Sequence, residues 1–268
     1  AACTAAEVGC NTFLLEKGSE LGGLASLISK IPAKNRLADF PHYLMHRAEQ
    51  LENLYIFTNT EGTPENIRKF HPNIIVSSTG SAPLLPPIAG LKDRIDNENY
   101  NIYSILGMIN HINDFPKDLE GKKVVVVGGG AVGLDVVEFF ADRNADISIV
   151  EMMDQIGRDL DPVSKNDTKA MMKKHNVHQL TKTALLEVKD SSFLVKGDGE
   201  PYELPFEYGF VCLGMRAQGQ LYQSLAEEFS SEDVEIMNIG DSQRARRIID
   251  GTQEGRNILT ILEQRGYL

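Results

Sequence analysis

Residues Lys122–Met153 read KKVVVVGGGAVGLDVVEFFADRNADISIVEMM and hold, in order, every part of a βαβ nucleotide-binding unit. Val124–Val127 predict a strand buried on both faces, as a parallel sheet requires. Gly128, Gly130 and Gly133 then fall on G-x-G-x-x-G. The first glycine permits a tight turn, the second lets a pyrophosphate approach the backbone, and the third lets the following helix lie close to the strand. Val132, Val136, Val137, Phe139 and Phe140 give that helix its apolar side, and Ile147–Val150 predict the second strand. It ends at Glu151, 18 residues after Gly133. An acid there accepts hydrogen bonds from both ribose hydroxyls and repels a 2′-phosphate, so NAD is expected over NADP, with Arg158 softening the preference. The competing reading is a purely structural glycine turn.

The opening of the chain repeats the second half of this unit. With Glu16 laid on Glu151, an offset of 135, Gly9 meets Asn144, Phe13–Leu15 meet Ser148–Val150, and Leu21-Gly22 meet Ile156-Gly157. On the same offset the three glycines fall at positions −7, −5 and −2. A first strand and its phosphate-binding loop are therefore expected upstream, and the chain reads as an N-terminally truncated fragment of a longer protein. Two ordinary helix–strand pairs with a chance likeness are the alternative.

The other segments fit a protein with two nucleotide sites. Asn73–Val76 predict a strand leading into SSTGSAPLLPPIAG, which is too rich in Gly and Pro for regular structure. Gly209–Leu213 lead into a shorter counterpart, LGMR, which contains Gly214. Between them lie a predicted helix over 162–174 and strands near 185–188, 193–195 and 202–204. Val234–Ile239 predict a strand ending at Gly240-Asp241, before a helix from about 245 to 264. In that helix Gly251 and Gly255 share one face, which calls for a close neighbour.

Bulk properties narrow the class. A net charge of −11 over 268 residues argues against nucleic acid and anionic membranes as partners, and the run Arg244, Arg246, Arg247 is too local to change that. No apolar stretch approaches a bilayer span and no signal-peptide layout is present, so a cytoplasmic location is expected. Cys3, Cys10 and Cys212 form neither CxxC nor zinc spacing and read as small packed side chains. His42 and His46 stand one turn apart but lack a third ligand, and read as surface or packing residues.

The stretches LLEKGSELGG, STGSAPLLPPIAG, VVVVGGGAVG, IVEMMDQIGRDL and NIGDSQRARRIIDGTQEG together resemble the C-terminal flavin and pyridine-nucleotide module of the NADH:flavin oxidoreductase family. Bacterial 2,4-dienoyl-CoA reductase, enoate reductases and trimethylamine dehydrogenase belong to that family. The resemblance spans essentially the whole chain. It implies an α/β fold of two Rossmann-like, doubly wound domains, with an NAD domain (99–216) inserted in a split FAD domain (1–98 and 217–268). NAD contacts are then expected at Gly128, Gly130, Ala131, Val132, Gly133, Glu151 and Gly214. FAD contacts are implied at Glu16, Lys17, Gly22, Gly23, Thr79, Gly80, Gly240 and Asp241, with Glu16 on the adenosine ribose and Asp241 on the ribityl chain. The bland alternatives are a solvated strand end for Glu16, a plain turn for Thr79-Gly80 and a helix N-cap for Asp241.

What the resemblance implies for function is hydride passage from NADH to FAD, with no catalytic side chain nominated. In the family, an upstream barrel carries FMN and an iron–sulfur cluster and meets the substrate; these are expected only outside this stretch. Without the first glycine loop the FAD pyrophosphate lacks its main backbone donors. The alternatives are a non-redox NAD-binding sensor or assembly module, or a stand-alone NADH oxidase-like flavoprotein, which would add a C-terminal dimerisation domain. A thioredoxin-reductase type needs the CxxC that is missing here.

Overall fold

A computed structural model describes residues 1–268, which divide into two compact units, one inserted in the other. The first comprises Ala1–Ser29, Lys34–Ala82 and Met215–Leu268; the second comprises Lys30–Ala33 and Pro83–Gly214. The chain opens with α1 (Ala2–Glu7), β1 (Thr12–Leu15), α2 (Gly23–Ile28), α3 (Asp39–Glu49), β2 (Leu54–Phe57), α4 (Pro64–Arg68), β3 (Ile74–Ser77) and β4 (Ser81–Pro83). The second unit runs through α5 (Leu91–Arg94), β5 (Ile102–Tyr103), α6 (Ile105–Asn110), β6 (Lys123–Val127), α7 (Ala131–Ala141), β7 (Asp146–Val150), α8 (Pro162–Lys174) and β8 (His178–Leu180). It closes with β9 (Ala184–Val188), β10 (Ser192–Lys196), β11 (Tyr202–Pro205) and β12 (Tyr208–Val211). Completing the first unit are β13 (Met215–Ala217), α9 (Gln220–Glu228), β14 (Glu235–Asn238), α10 (Ile248–Arg256) and α11 (Ile258–Gln264).

The second unit is built on a parallel sheet of order β5-β12-β6-β7-β8, and the four valines of its central strand β6 are buried on both faces. One face carries Val125 and Val127 in one apolar core with Val188, Phe193 and Val195 of the antiparallel sheet β9–β11 and with Phe206, which follows it. On the other, Phe139 and Phe140 of α7 form a ring cluster with Phe115, Tyr208 and Phe210. The boundary read at 98/99 lies inside this unit. Leu91 and Ile95 belong to the same apolar core, and Val188 N–H donates to Ala89 O at 2.9 Å, so the chain is stitched to β9 well before residue 98. The return crossing lies at 214/215.

In the first unit the parallel strands come as two pairs, β1–β2 and β3–β14. The small-residue run at the start forms α1. Its Ala6 packs with Ala48 and Leu54, and its Ala5 with Ile258 and Leu262. Side chains this short let backbones close in, and a Cβ at Gly255 would stand 3.0 Å from Ala1 N. The other glycine of that face, Gly251, lies against Gly240, so each has the close neighbour that its helix position demands. The final helix starts at Ile248 rather than 245 and breaks at Asn257, which divides α10 from α11.

The repeat extends to individual hydrogen bonds. At the ends of the two helices, Cys10 N–H donates to Ala5 O (3.1 Å) and Ala145 N–H to Phe140 O (3.3 Å), with Gly9 and Asn144 both at positive φ. At the strand ends, Glu16 N–H donates to Phe57 O (2.8 Å) and Glu151 N–H to Leu180 O (2.9 Å). Thr60 N–H then returns to Glu16 O (2.8 Å), as Thr183 N–H returns to Glu151 O (2.9 Å). Even the turn residues Asn59 (φ 51°) and Lys182 (φ 50°) share a left-handed conformation that non-glycine residues seldom adopt. One difference remains. In the second unit β6 pairs with both β7 and β12, whereas within residues 1–268 no strand pairs with both β1 and β3, their counterparts.

Candidate functional site

The second unit places its glycine loop at the carboxyl end of β6, where open α/β sheets bind ligands. Gly128 sits at φ +110° with Cys212 O so close that a Cβ would stand 2.1 Å from it; no side chain fits. A Cβ on Gly133 would meet Gly128 O at 1.9 Å, so α7 lies directly on the turn. Gly130 differs: its φ is an ordinary −80°, and nothing stands within 4 Å of its Cβ position. It is the N-cap of α7, without a capping side chain, so the N–H groups of Ala131, Val132 and Gly133 remain available at the positive end of the helix dipole. Gly214, at φ +100°, is also open.

Glu151 is tied to this loop. Its Oε2 accepts Gly129 N–H at 2.6 Å and its Oε1 accepts Met153 N–H at 2.8 Å. Gly157 N–H donates to Gly129 O at 2.7 Å, closing the other side of the turn. An uncapped helix start, an open space at Gly130 and a carboxylate beside them fit a dinucleotide: pyrophosphate at α7, ribose at Glu151. Cys212, next to the loop, is a buried thiol whose pKa is pushed up to about 12 by desolvation. Cys3 and Cys10 are half-buried, and all three thiols are free.

The sequence-read residues of the first unit fall at the carboxyl ends of its strands. Glu16 follows β1, and its Oε1 accepts Gly18 N–H at 2.6 Å, matching Glu151 with Met153. Lys17, beside it, pairs its Nζ with Glu61 at 2.9 Å, with both side chains mostly exposed. Gly22 and Gly23 start α2, both at positive φ. Thr79 and Gly80 follow β3 and engage Gln218, whose N–H donates to Gly80 O at 2.9 Å and whose carbonyl accepts the Thr79 hydroxyl.

Ser77 and Asn238 are register partners, so the segments after β3 and β14 emerge side by side. There Asp241 is held at both oxygens, by Ser81 Oγ (3.0 Å) and Arg246 N–H (3.0 Å). Asp241 is not the cap of the long helix, whose N-cap residue is Arg247. Residues that pattern reading missed complete the group: Ser81, Gln218, Arg246 and Glu254. Glu254 accepts Gly240 N–H at 2.6 Å, and that bond, followed by Arg246, holds its carboxyl below the usual carboxylate range. Glu16, Gly80 and Asp241 suit FAD: a carboxylate at the end of β1, an open glycine after β3 and a carboxylate held in place after β14.

Two repeated Rossmann-like units, one nested in the other, define a dinucleotide-dependent oxidoreductase fold. The match of residues 50–237 to the pyridine nucleotide-disulphide oxidoreductase family model makes the assignment specific, and the chain belongs to that family. It is 26% identical over 256 residues to an NADH oxidase of Thermoanaerobacter brockii, covering 95% of this chain and 38% of that protein. A metal reductase of Desulforamulus reducens is 26% identical over 285 residues, at 93% and 40% coverage. Among solved structures, a 2-naphthoyl-CoA reductase in complex with 2-naphthoyl-CoA superposes with TM-score 0.79 at 22% identity, covering 95% of this chain and 37% of that one. Histamine dehydrogenase from Rhizobium sp. 4-9 gives 0.78 at 16%, covering 96% and 39%. The resemblance read from the sequence thus stands at the level of fold and family. This chain spans about two fifths of the length of these relatives. No helix is long and apolar enough to cross a membrane.

Proposed function

We propose that this chain is the nicotinamide–flavin module of a flavoprotein reductase, with NADH held by the second unit and FAD by the first. The observation that carries the reading is the repeated acid-bearing turn: Glu16 and Glu151 end equivalent strands and accept the N–H two residues on with the same geometry. When bound, the cofactor pair supplies hydride transfer from nicotinamide to flavin. The protein's part is binding and orientation. Gly130 leaves room for a pyrophosphate at the start of α7, Glu151 offers lone pairs to a ribose diol, and Asp241 presents a carboxylate already fixed in place.

The acceptor is chosen outside this module. Relatives that share it are named for chemically unrelated work, among them a metal reductase, a bilirubin reductase and a cinnamate reductase. An upstream barrel with FMN and an iron–sulfur cluster would supply that choice. The test is titration of the chain with NADH and NADPH, before and after adding FAD. NADH is expected to bind about tenfold tighter, and Glu151→Ala to weaken NADH about tenfold while erasing the preference, because one change removes both a ribose acceptor and the Gly129 anchor. Tighter NADPH binding by the parent chain would overturn the selector role. The second reading, an NAD-binding module without flavin, is told apart by colour: such a chain would stay colourless when passed over a desalting column after incubation with FAD.

A further inference from the structure

We propose that Glu254 is a positioning residue, which reaches from α10 to clasp the Gly240–Asp241 turn and thereby sets the carboxylate offered to a flavin side chain. Its Oε2 accepts Gly240 N–H at 2.6 Å, while Oε1 pairs with the Arg246 guanidinium. Arg246 in turn gives its backbone N–H to Asp241 Oδ1 at 3.0 Å, and Ser81 Oγ holds Oδ2 at 3.0 Å. Asp241 therefore stands between two residues that the same glutamate restrains.

The reach of Glu254 follows from packing. Gly240 turns at φ +66°, and a Cβ at Gly251 would lie 3.5 Å from Gly240 Cα, so helix and turn touch backbone to backbone. Glu254, three residues beyond Gly251, falls on the same helix face and meets the turn directly. Its carboxylate lies in the last turn of α10, away from the helix start at Arg247. Without it Gly240 N–H loses its acceptor and Arg246 its anion, while Ser242 still ties the far side of the turn to Asn238 and Ile239 and Gly240 O still accepts Gln243 N–H (3.1 Å) and Arg244 N–H (3.2 Å). The clasp stands on the geometry alone; its consequence for the cofactor rests on the flavin reading proposed above.

Two measurements on the same variants separate these parts. Amide exchange at Gly240 in the ligand-free chain reads the clasp, and FAD titration reads its consequence. Glu254→Ala is expected to speed Gly240 exchange and to weaken FAD binding, each about tenfold. Glu254→Gln, which keeps a carbonyl oxygen for the Gly240 N–H, is expected to recover most of both. The Glu254 side chain is 24% exposed, so truncation opens no buried cavity, and retained circular dichroism checks the fold. Unchanged Gly240 exchange in Glu254→Ala overturns the clasp whatever happens to FAD. Faster exchange in a protein whose parent takes up no FAD overturns the flavin reading and, with it, the cofactor half of this proposal.

Discussion

Gly133→Val is expected to destabilise the second unit by about 3 kcal/mol and to abolish measurable NADH binding along with it. The cost arises because the clash is with backbone. A Cβ at 133 would stand 1.9 Å from Gly128 O and 3.0 Å from Gly128 C, with Val126 Cγ1 at 3.5 Å, and none of these atoms is the free end of a flexible side chain. Relief requires lifting α7 off β6. That helix brings Phe139 and Phe140 to the ring cluster with Phe115 and Phe210, so a shift is felt through the packed aromatic face. Removing a glycine from a helix recovers under 1 kcal/mol of propensity, which is too little to offset overpacking of this kind. The denaturation midpoint followed by near-ultraviolet circular dichroism checks the expectation. A midpoint equal to that of the parent would mean that α7 does not sit on the turn.

What could be read from the sequence depends on how local each constraint is. The Val124–Val127 strand, the three glycines and the register of Glu16 on Glu151 are all legible because each residue's requirement is met within one turn or one strand pair. The crossing between units was not. Residues 83–98 look like an irregular continuation of the Gly- and Pro-rich run, and it is the place of Leu91 and Ile95 in one apolar core with Val125, Val188 and Val211, far off in sequence, together with the Ala89–Val188 backbone bond, that assigns them to the second unit. Lys17 shows the same limit on the surface. Its sequence neighbourhood gives no sign of the ion pair it makes with Glu61, 44 residues later. Glu254 was hidden for a different reason: a glutamate in an amphipathic helix reads as a solvated face until Gly251 brings the backbone of the Gly240 turn to it. Beginning the final helix at 245 overlooked Arg246, whose N–H goes to Asp241, and Arg247, whose N–H goes to Asp250; neither donates to a helix carbonyl.

Gly130→Ala separates binding from folding, because the same loop holds a glycine that the fold does not need. Its φ of −80° suits any residue, and a methyl group placed there meets no atom of the protein within 4 Å. Stability is therefore expected to stay within about 0.5 kcal/mol of the parent, in contrast to Gly133→Val. Affinity is another matter. The space at Gly130 adjoins the uncapped N–H groups of α7, and a phosphate that reaches them gains charge-assisted hydrogen bonds of about 1.5–3 kcal/mol each. A methyl group that holds the phosphate off is expected to weaken NADH about a hundredfold, equivalent to about 2.7 kcal/mol. Calorimetric titration of NADH beside a thermal melt reads both quantities on one sample. Since nothing in the fold requires the absence of a side chain at residue 130, a variant that melts like the parent and still binds NADH equally well would show that the pyrophosphate lies elsewhere, and the nucleotide assignment of the second unit would fall while its fold stood.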